Sequence, residues 1–197
     1  GDEARYVVQR SGSPVAVALV KAVSTATART PGHEVLFFNS AAVTPAVTNV
    51  MCSFWHSRFD AHADMKMAAI TDWSKQNPDI HKVYIIGQDY VFGQAVAKAA
   101  VEQLAKKRPD IKIAGNELHP LGKGKDFTPY TQKIISSGAY AVITGNWGAD
   151  MQLLMKAAAE SGSRVPYLTF YGGSKGTVAA LGAAGVGRLY QVSEGIT

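Results

Sequence analysis

The sequence predicts an α/β protein built on doubly wound parallel sheets, and three observations lead there. Short apolar runs recur at 35–38, 83–86, 141–144 and 167–171, and none alternates apolar with polar residues. Unbroken apolarity is expected of parallel strands covered on both faces. Helical periodicities lie between the runs, and strand–helix–strand repetition implies right-handed crossovers. Glycines at 138 and 162 stand where helical stretches would stop.

A weak strand candidate, 6–8, opens the order of elements. Ser13 is a good N-cap and Pro14 suits the first helical position, with Val15, Ala18, Leu19, Ala22, Val23 and Ala26 on one face. After the strand at 35–38 the rhythm breaks over 44–59, a stretch holding Pro45, Asn49, Cys52, Trp55, His56 and Arg58. It is the best candidate for a crossing between two lobes. Asp60 is expected to cap a helix carrying Met65, Ala68, Ala69 and Trp73. The strand at 83–86 leads to a helix over 93–107, burying Val96, Ala100, Val101 and Leu104. Lys106, Lys107 and Arg108 complement the dipole at its end. A weak strand at 111–114 follows, then a helix from Thr128-Pro129 to Gly138 and the strand at 141–144. Met151, Leu154, Met155 and Ala158 face inward on the next helix, before the strand at 167–171 and a weak one at 189–192. The expected division is a partial first lobe with its crossing over 1–58, a second α/β lobe over 59–188, and a strand leading to a second hinge over 189–197.

Composition bounds the function. With 197 residues, 47% apolar and 18% charged, the chain can bury a substantial core. No apolar run is long enough to span a bilayer. The opening residues do not read as a secretory leader, which is neutral, because a mature secreted protein lacks one too. The net charge of +5 is scattered, so nothing supports nucleic-acid binding. Cys52 stands alone and cannot form an internal disulfide. That fits a reduced compartment, or a partner thiol outside this sequence.

Catalytic motifs fail on inspection. Gly172-Gly173-Ser174-Lys175-Gly176 matches the nucleophile elbow of hydrolases, yet no histidine follows Ser174 and Glu194 is the sole downstream acid. A serine without a base is a weak nucleophile. Gly182 to Gly187 has the wrong glycine spacing for a dinucleotide fingerprint, and no phosphate loop or paired-histidine zinc motif occurs. The five histidines are dispersed. No catalytic residue, metal site or cofactor is expected.

What remains is positional. In open α/β sheets, ligands bind beyond the carboxyl ends of the strands. Those ends carry Ser11 and Ser13, then Ser40 and Ala41, then Asp89, Tyr90 and Phe92, then Asn146 and Trp147, then Tyr171. Rings and small polar groups without a base describe a small-molecule pocket.

At these residues the chain resembles the type I periplasmic binding proteins, specifically the leucine/isoleucine/valine-type receptors of ABC transporters. Four stretches carry the resemblance: 11–16 (a serine turn opening a helix), 39–48 (a small-residue loop before a hinge), 83–93 (strand, acidic-aromatic turn, glycine-started helix) and 126–145. It implies two lobes, the first incomplete here, so that the chain reads as an internal fragment. It implies hinge closure on a ligand, delivery to a membrane permease, and a periplasmic or lipid-anchored extracytoplasmic place. A ligand-sensing regulator with the same clamp is the alternative. Carried over by position, Ser13 and the Ala41 backbone hold the ligand carboxylate. Val43 stands where amino-acid receptors have a threonine, with Thr44 beside it, and Phe92 and Asn146 or Trp147 are pocket positions. Tyr171 is the departure, because amino-acid receptors place an acid there or nearby. Asp89 would then supply the charge, or the ligand is an aromatic or other organic carboxylate stacked on rings.

Overall fold

The computed structural model describes residues 4–174 and 176–193. Lys175 of the glycine-serine motif, Glu194 and the end of the 189–197 segment lie outside them. The chain forms two compact units, Gly1–Met65 and Lys66–Thr197.

The first unit runs β1 (Tyr6–Gln9), α1 (Ser13–Arg29), β2 (Leu36–Asn39), a 3-10 turn (Pro45–Thr48) and β3 (His56–Arg58). All three strands are parallel, in the order β1-β2-β3. Pro14 lies in the first turn of α1, and Ser13, Ala16, Val20, Val23 and Thr27 form its buried face at three- and four-residue spacing. That face meets Phe37, Ala42 and Val47. The N-cap is Gly12, whose carbonyl accepts from the Val15 and Ala16 amides, so Ser13 is the first helical residue and does not cap.

The expected cover on both faces fails in this unit. Tyr6 and Val8 are exposed, and the Tyr6, Phe38 and Phe59 rings follow one another at 6.1 and 5.9 Å centroid spacing on the uncovered side. Among the described residues, one helix packs on one face of this sheet, and β1 therefore alternates after all.

The second unit holds β4 (Lys82–Gln88), α3 (Val91–Lys107), β5 (Lys112–His119), α4 (Thr128–Ser137), β6 (Ala141–Thr144), α5 (Gly148–Glu160), β7 (Tyr167–Thr169), the short α6 (Thr177–Leu181) and β8 (Leu189–Gln191). Its parallel sheet has the order β5-β4-β6-β7-β8. The chain thus steps from β4 outward to β5 and returns on the other side to β6. A crevice opens at such a reversal, beyond the β4 and β6 ends. The core joins Ile86 and Val142 of the sheet to Phe127, Ile134, Met151, Leu154 and Met155 of the α4–α5 layer. Each such side chain, fully buried, contributes roughly 1.5–3 kcal/mol. Gly138 ends α4 in the left-handed conformation, φ 64°, which a side chain rarely adopts.

The helix α2 (Ala63–Lys75) differs from expectation. It starts three residues after Asp60, and its buried positions are Ala63, Lys66, Met67, Ile70, Thr71 and Ser74, whereas Met65 and Ala69 are exposed.

Candidate ligand-binding site

The tip of the first sheet is organised by Asn39. Its Oδ1 accepts from the amides of Ala41 (3.2 Å) and Ala42 (2.8 Å), and its Nδ2 donates to the Ala42 carbonyl (2.9 Å). The Ala41 N–H is therefore already given to a side chain, at the long end of the bonding range. Ser40 is exposed and donates both its amide and its hydroxyl to the Gln9 carbonyl, each at 3.1 Å. Ser13 is buried at the start of α1, and its hydroxyl has no hydrogen-bond partner among the described residues. Ser11 is exposed in the preceding turn. Val43 and Thr44 are buried: the Val43 carbonyl accepts the Ala63 amide (2.9 Å), and the Thr44 carbonyl accepts Arg58 Nη1 (3.0 Å). They brace the loop behind the tip.

The tip of the second sheet gathers rings. Tyr90 and Trp147 occupy the N-cap positions of α3 and α5, which follow β4 and β6, the strands flanking the crevice. Trp147 Nε1 donates to the Tyr90 hydroxyl oxygen at 2.8 Å. The Tyr90 proton finds no acceptor among the described residues, and burial raises this phenol to about 12, so the proton is retained. Phe92, fully buried, lies 5.8 Å from the Tyr90 ring, 6.1 Å from Tyr171 and 6.2 Å from Phe170. The buried Lys66 ammonium stands 5.2 Å from the Tyr171 ring centroid.

Two predicted side chains point elsewhere. Asp89 is exposed and its Oδ1 accepts from Gln94 Nε2 at 2.9 Å. Asn146 is wholly buried and its Nδ2 meets His119 Nε2 at 2.8 Å. His119 Nδ1 faces the Pro120 carbonyl at 3.3 Å, and the tautomer with its proton on Nδ1 leaves Nε2 to accept from Asn146.

Sequence reasoning missed the polar group beneath the rings. His119 ends β5 in register with Gln88 of β4. Gln88 Nε2 donates to Asp150 Oδ2 (2.8 Å) and to the Trp147 carbonyl (3.3 Å), and the Gly122 amide donates to the same Asp150 oxygen (2.8 Å). Gln88 Oε1, Asn146 Oδ1 and Asp150 Oδ1 are buried without partners. All three are acceptors. The usable signal was an acid in the first turn of a helix that follows a strand tip.

The Ser174 hydroxyl pairs with Thr177 Oγ1 at 3.1 Å rather than with a histidine. Among the described residues, no group of three or more His, Cys, Asp or Glu side chains is placed to hold a metal ion. Cys52 is free and exposed. No described helix is long and apolar enough to cross a membrane. An apolar hollow of about 300 Å³, lined by Ile70, Trp73, Leu168 and Tyr190 among others, is bordered by none of the predicted site residues.

Two parallel sheets layered with helices define an α/β fold. Residues 1–196 match the family model described as periplasmic binding protein, and the chain belongs to that family. It is 31% identical over 189 residues to the Leu/Ile/Val-binding protein homolog 4 of Brucella abortus, a match spanning 95% of this chain and 45% of that protein. The chain thus spans a little under half the length of the curated relatives it matches. Among solved structures, it superposes with a TM-score of 0.82 on the closed leucine-, isoleucine-, valine-, threonine- and alanine-binding protein of Brucella ovis, at 31% identity, covering 91% of this chain and 46% of that one. A benzoate-bound solute-binding protein of R. palustris shares the fold at a TM-score of 0.78 and 17% identity, covering 92% and 47%.

Proposed function

We propose that this chain belongs to the solute-binding subunit of an ABC importer, acting outside the cytoplasmic membrane and handing a small carboxylate-bearing ligand to a membrane permease. The observation that carries this reading is the ring set at the β4/β6 reversal, where Trp147 is held on Tyr90 and Tyr90 keeps a donatable proton. In this reading the Ser13 hydroxyl and the start of α1 take the carboxylate. The body of the ligand lies on Trp147 and Tyr90, and hinge bending closes the two lobes over it. Release follows opening, and no bond is made or broken.

The ligand class favoured is an aromatic or other organic carboxylate without an ammonium group. By the family resemblance, Tyr171 stands at or near the place where amino-acid receptors put an acid; the Lys66 ammonium lies near its ring, and burying an unpaired ligand ammonium there is costly. A second reading, a branched-chain amino acid, draws on the three unpartnered acceptors Gln88 Oε1, Asn146 Oδ1 and Asp150 Oδ1, which suit a donor. It also draws on the naming of the 31%-identical relatives.

Thermal shift of the full-length protein with benzoate, 4-hydroxybenzoate and L-leucine tests both. A ligand at 100 times its Kd stabilises by about 2.7 kcal/mol and raises Tm accordingly. Benzoates alone raising Tm supports the first reading. L-Leucine alone raising it replaces that reading with the second, and no shift with any small carboxylate or amino acid defeats both.

A further inference from the structure

We propose that Asp150 is a positioning residue for the ligand-contacting rings: a buried carboxylate at the start of α5 that ties the end of β4 to the loop after β5 and fixes the orientation of Trp147. Asp150 is 2% exposed, so its carboxylate has left water and must be held by donors. The two donors it receives come from separate parts of the chain. The Gly122 amide comes from the segment after β5, and Gln88 Nε2 from the end of β4. Gln88 Nε2 is shared, since the same nitrogen reaches the Trp147 carbonyl. Trp147 is therefore gripped at two ends, its carbonyl by Gln88 and its indole N–H by Tyr90. The ring nonetheless stays 40% exposed, placed by its neighbours while available to a guest.

The carboxylate is needed for this, and an amide does not replace it. An Asn at 150 would present an N–H₂ group or a weaker acceptor to Gln88. If Gln88 turned its Oε1 toward that N–H₂, the donor would leave the Trp147 carbonyl. Bonds to an ionised acceptor are about twice as strong as neutral ones. Asp150 also sits in the first turn of α5, where the helix dipole favours its charge.

The inference rests on the reading that Trp147 and Tyr90 meet the ligand, and the test separates the two. The full-length protein is labelled with 5-fluorotryptophan, and the Trp147 fluorine resonance is assigned by its loss in Trp147→Phe. Asp150→Asn and Gln88→Met should each move or broaden that resonance in the folded protein. They should also weaken binding of the probes benzoate and L-leucine, whichever the wild type takes up, by about tenfold or more, as loss of a charge-assisted bond does. The double variant should bind no worse than the weaker-binding single, because both changes act through one path. A merely structural role would lower Tm and leave the resonance in place, and that result, or additive losses, overturns the inference. Should Asp150→Asn fail to fold, Gln88→Met carries the same readings. If neither probe nor any small carboxylate binds the wild type, the proposed function falls, while the fluorine resonance still decides whether Asp150 positions Trp147.

Discussion

The two strand-end regions are built from different materials. The first offers a loop of small residues, Ser40 to Ala42, shaped by one side chain, Asn39, next to a helix start. The second offers rings, held by the buried Gln88 at the end of β4 and Asp150 at the start of α5, with the Gly122 amide of the loop after β5. A backbone surface reads charge and shape and tolerates many sequences. A ring surface reads the body of a ligand and depends on each residue beneath it. Common features of ligands are therefore expected at the first tip and distinguishing ones at the second.

The largest expected effect breaks the second tip. A Cβ on Gly93 would stand 1.8 Å from the Gln88 carbonyl oxygen, a backbone atom that cannot swing aside. Gly93→Ala should cost the upper end of the ~1–3 kcal/mol of overpacking or more, displacing Gln88 and with it Trp147. Urea denaturation reads the loss, and unchanged stability would show that α3 shifts freely against β4.

A smaller effect is expected at the first tip. Asn39→Ala leaves the Ala41 and Ala42 amides and the Ala42 carbonyl without their side-chain partner, a loss of about 1–3 kcal/mol. Carboxylate affinity should fall with it, while discrimination among carboxylates of different body stays as in the wild type. Isothermal titration across a ligand series separates the two quantities, and altered discrimination would refute the division of labour between the tips.

The smallest effect sharpens the contrast through pH. His56 and His62, both in the first unit, lie below the usual imidazole value, first because burial disfavours the charged ring and next because of the nearby Arg58 guanidinium. Each ring binds a proton less readily folded than unfolded. Stability therefore falls as pH drops below about 6.5, the unfolded value, and stops falling once the folded values are passed. Tm measured from pH 7.5 to 5 should decline, and the decline should flatten in the His56→Gln, His62→Gln double variant. An equal slope in that variant would assign the effect to other groups.

How far the sequence foretold this depends on how local each signal was. The strand at 141–144 was read to its ends, and Met151, Leu154, Met155 and Ala158 are buried as expected, because unbroken apolar runs and helical spacing are local patterns. The strand β3 carries no such local pattern. Its three residues, His-Ser-Arg, carry no apolar signal and join the sheet through backbone pairing with β2. The strand β5 extends to His119, well past the apolar start of the segment, since an edge strand keeps polar residues on its open side. On α2, Lys66 takes a core position, so a face drawn from apolar residues alone was misplaced. The gathering of rings at the second strand tip follows from their places after strands. The setting of Asp150 does not, because its partners Gln88 and Gly122 are distant in sequence and only the sheet order brings them to it.

The uncovered row formed by Tyr6, Phe38 and Phe59 bears on anyone who handles residues 1–197 alone. Water wets such a file of aromatic faces poorly, so the polypeptide should be sticky: prone to self-association at high concentration, retained on hydrophobic resins, and bright with dyes that fluoresce on greasy surfaces.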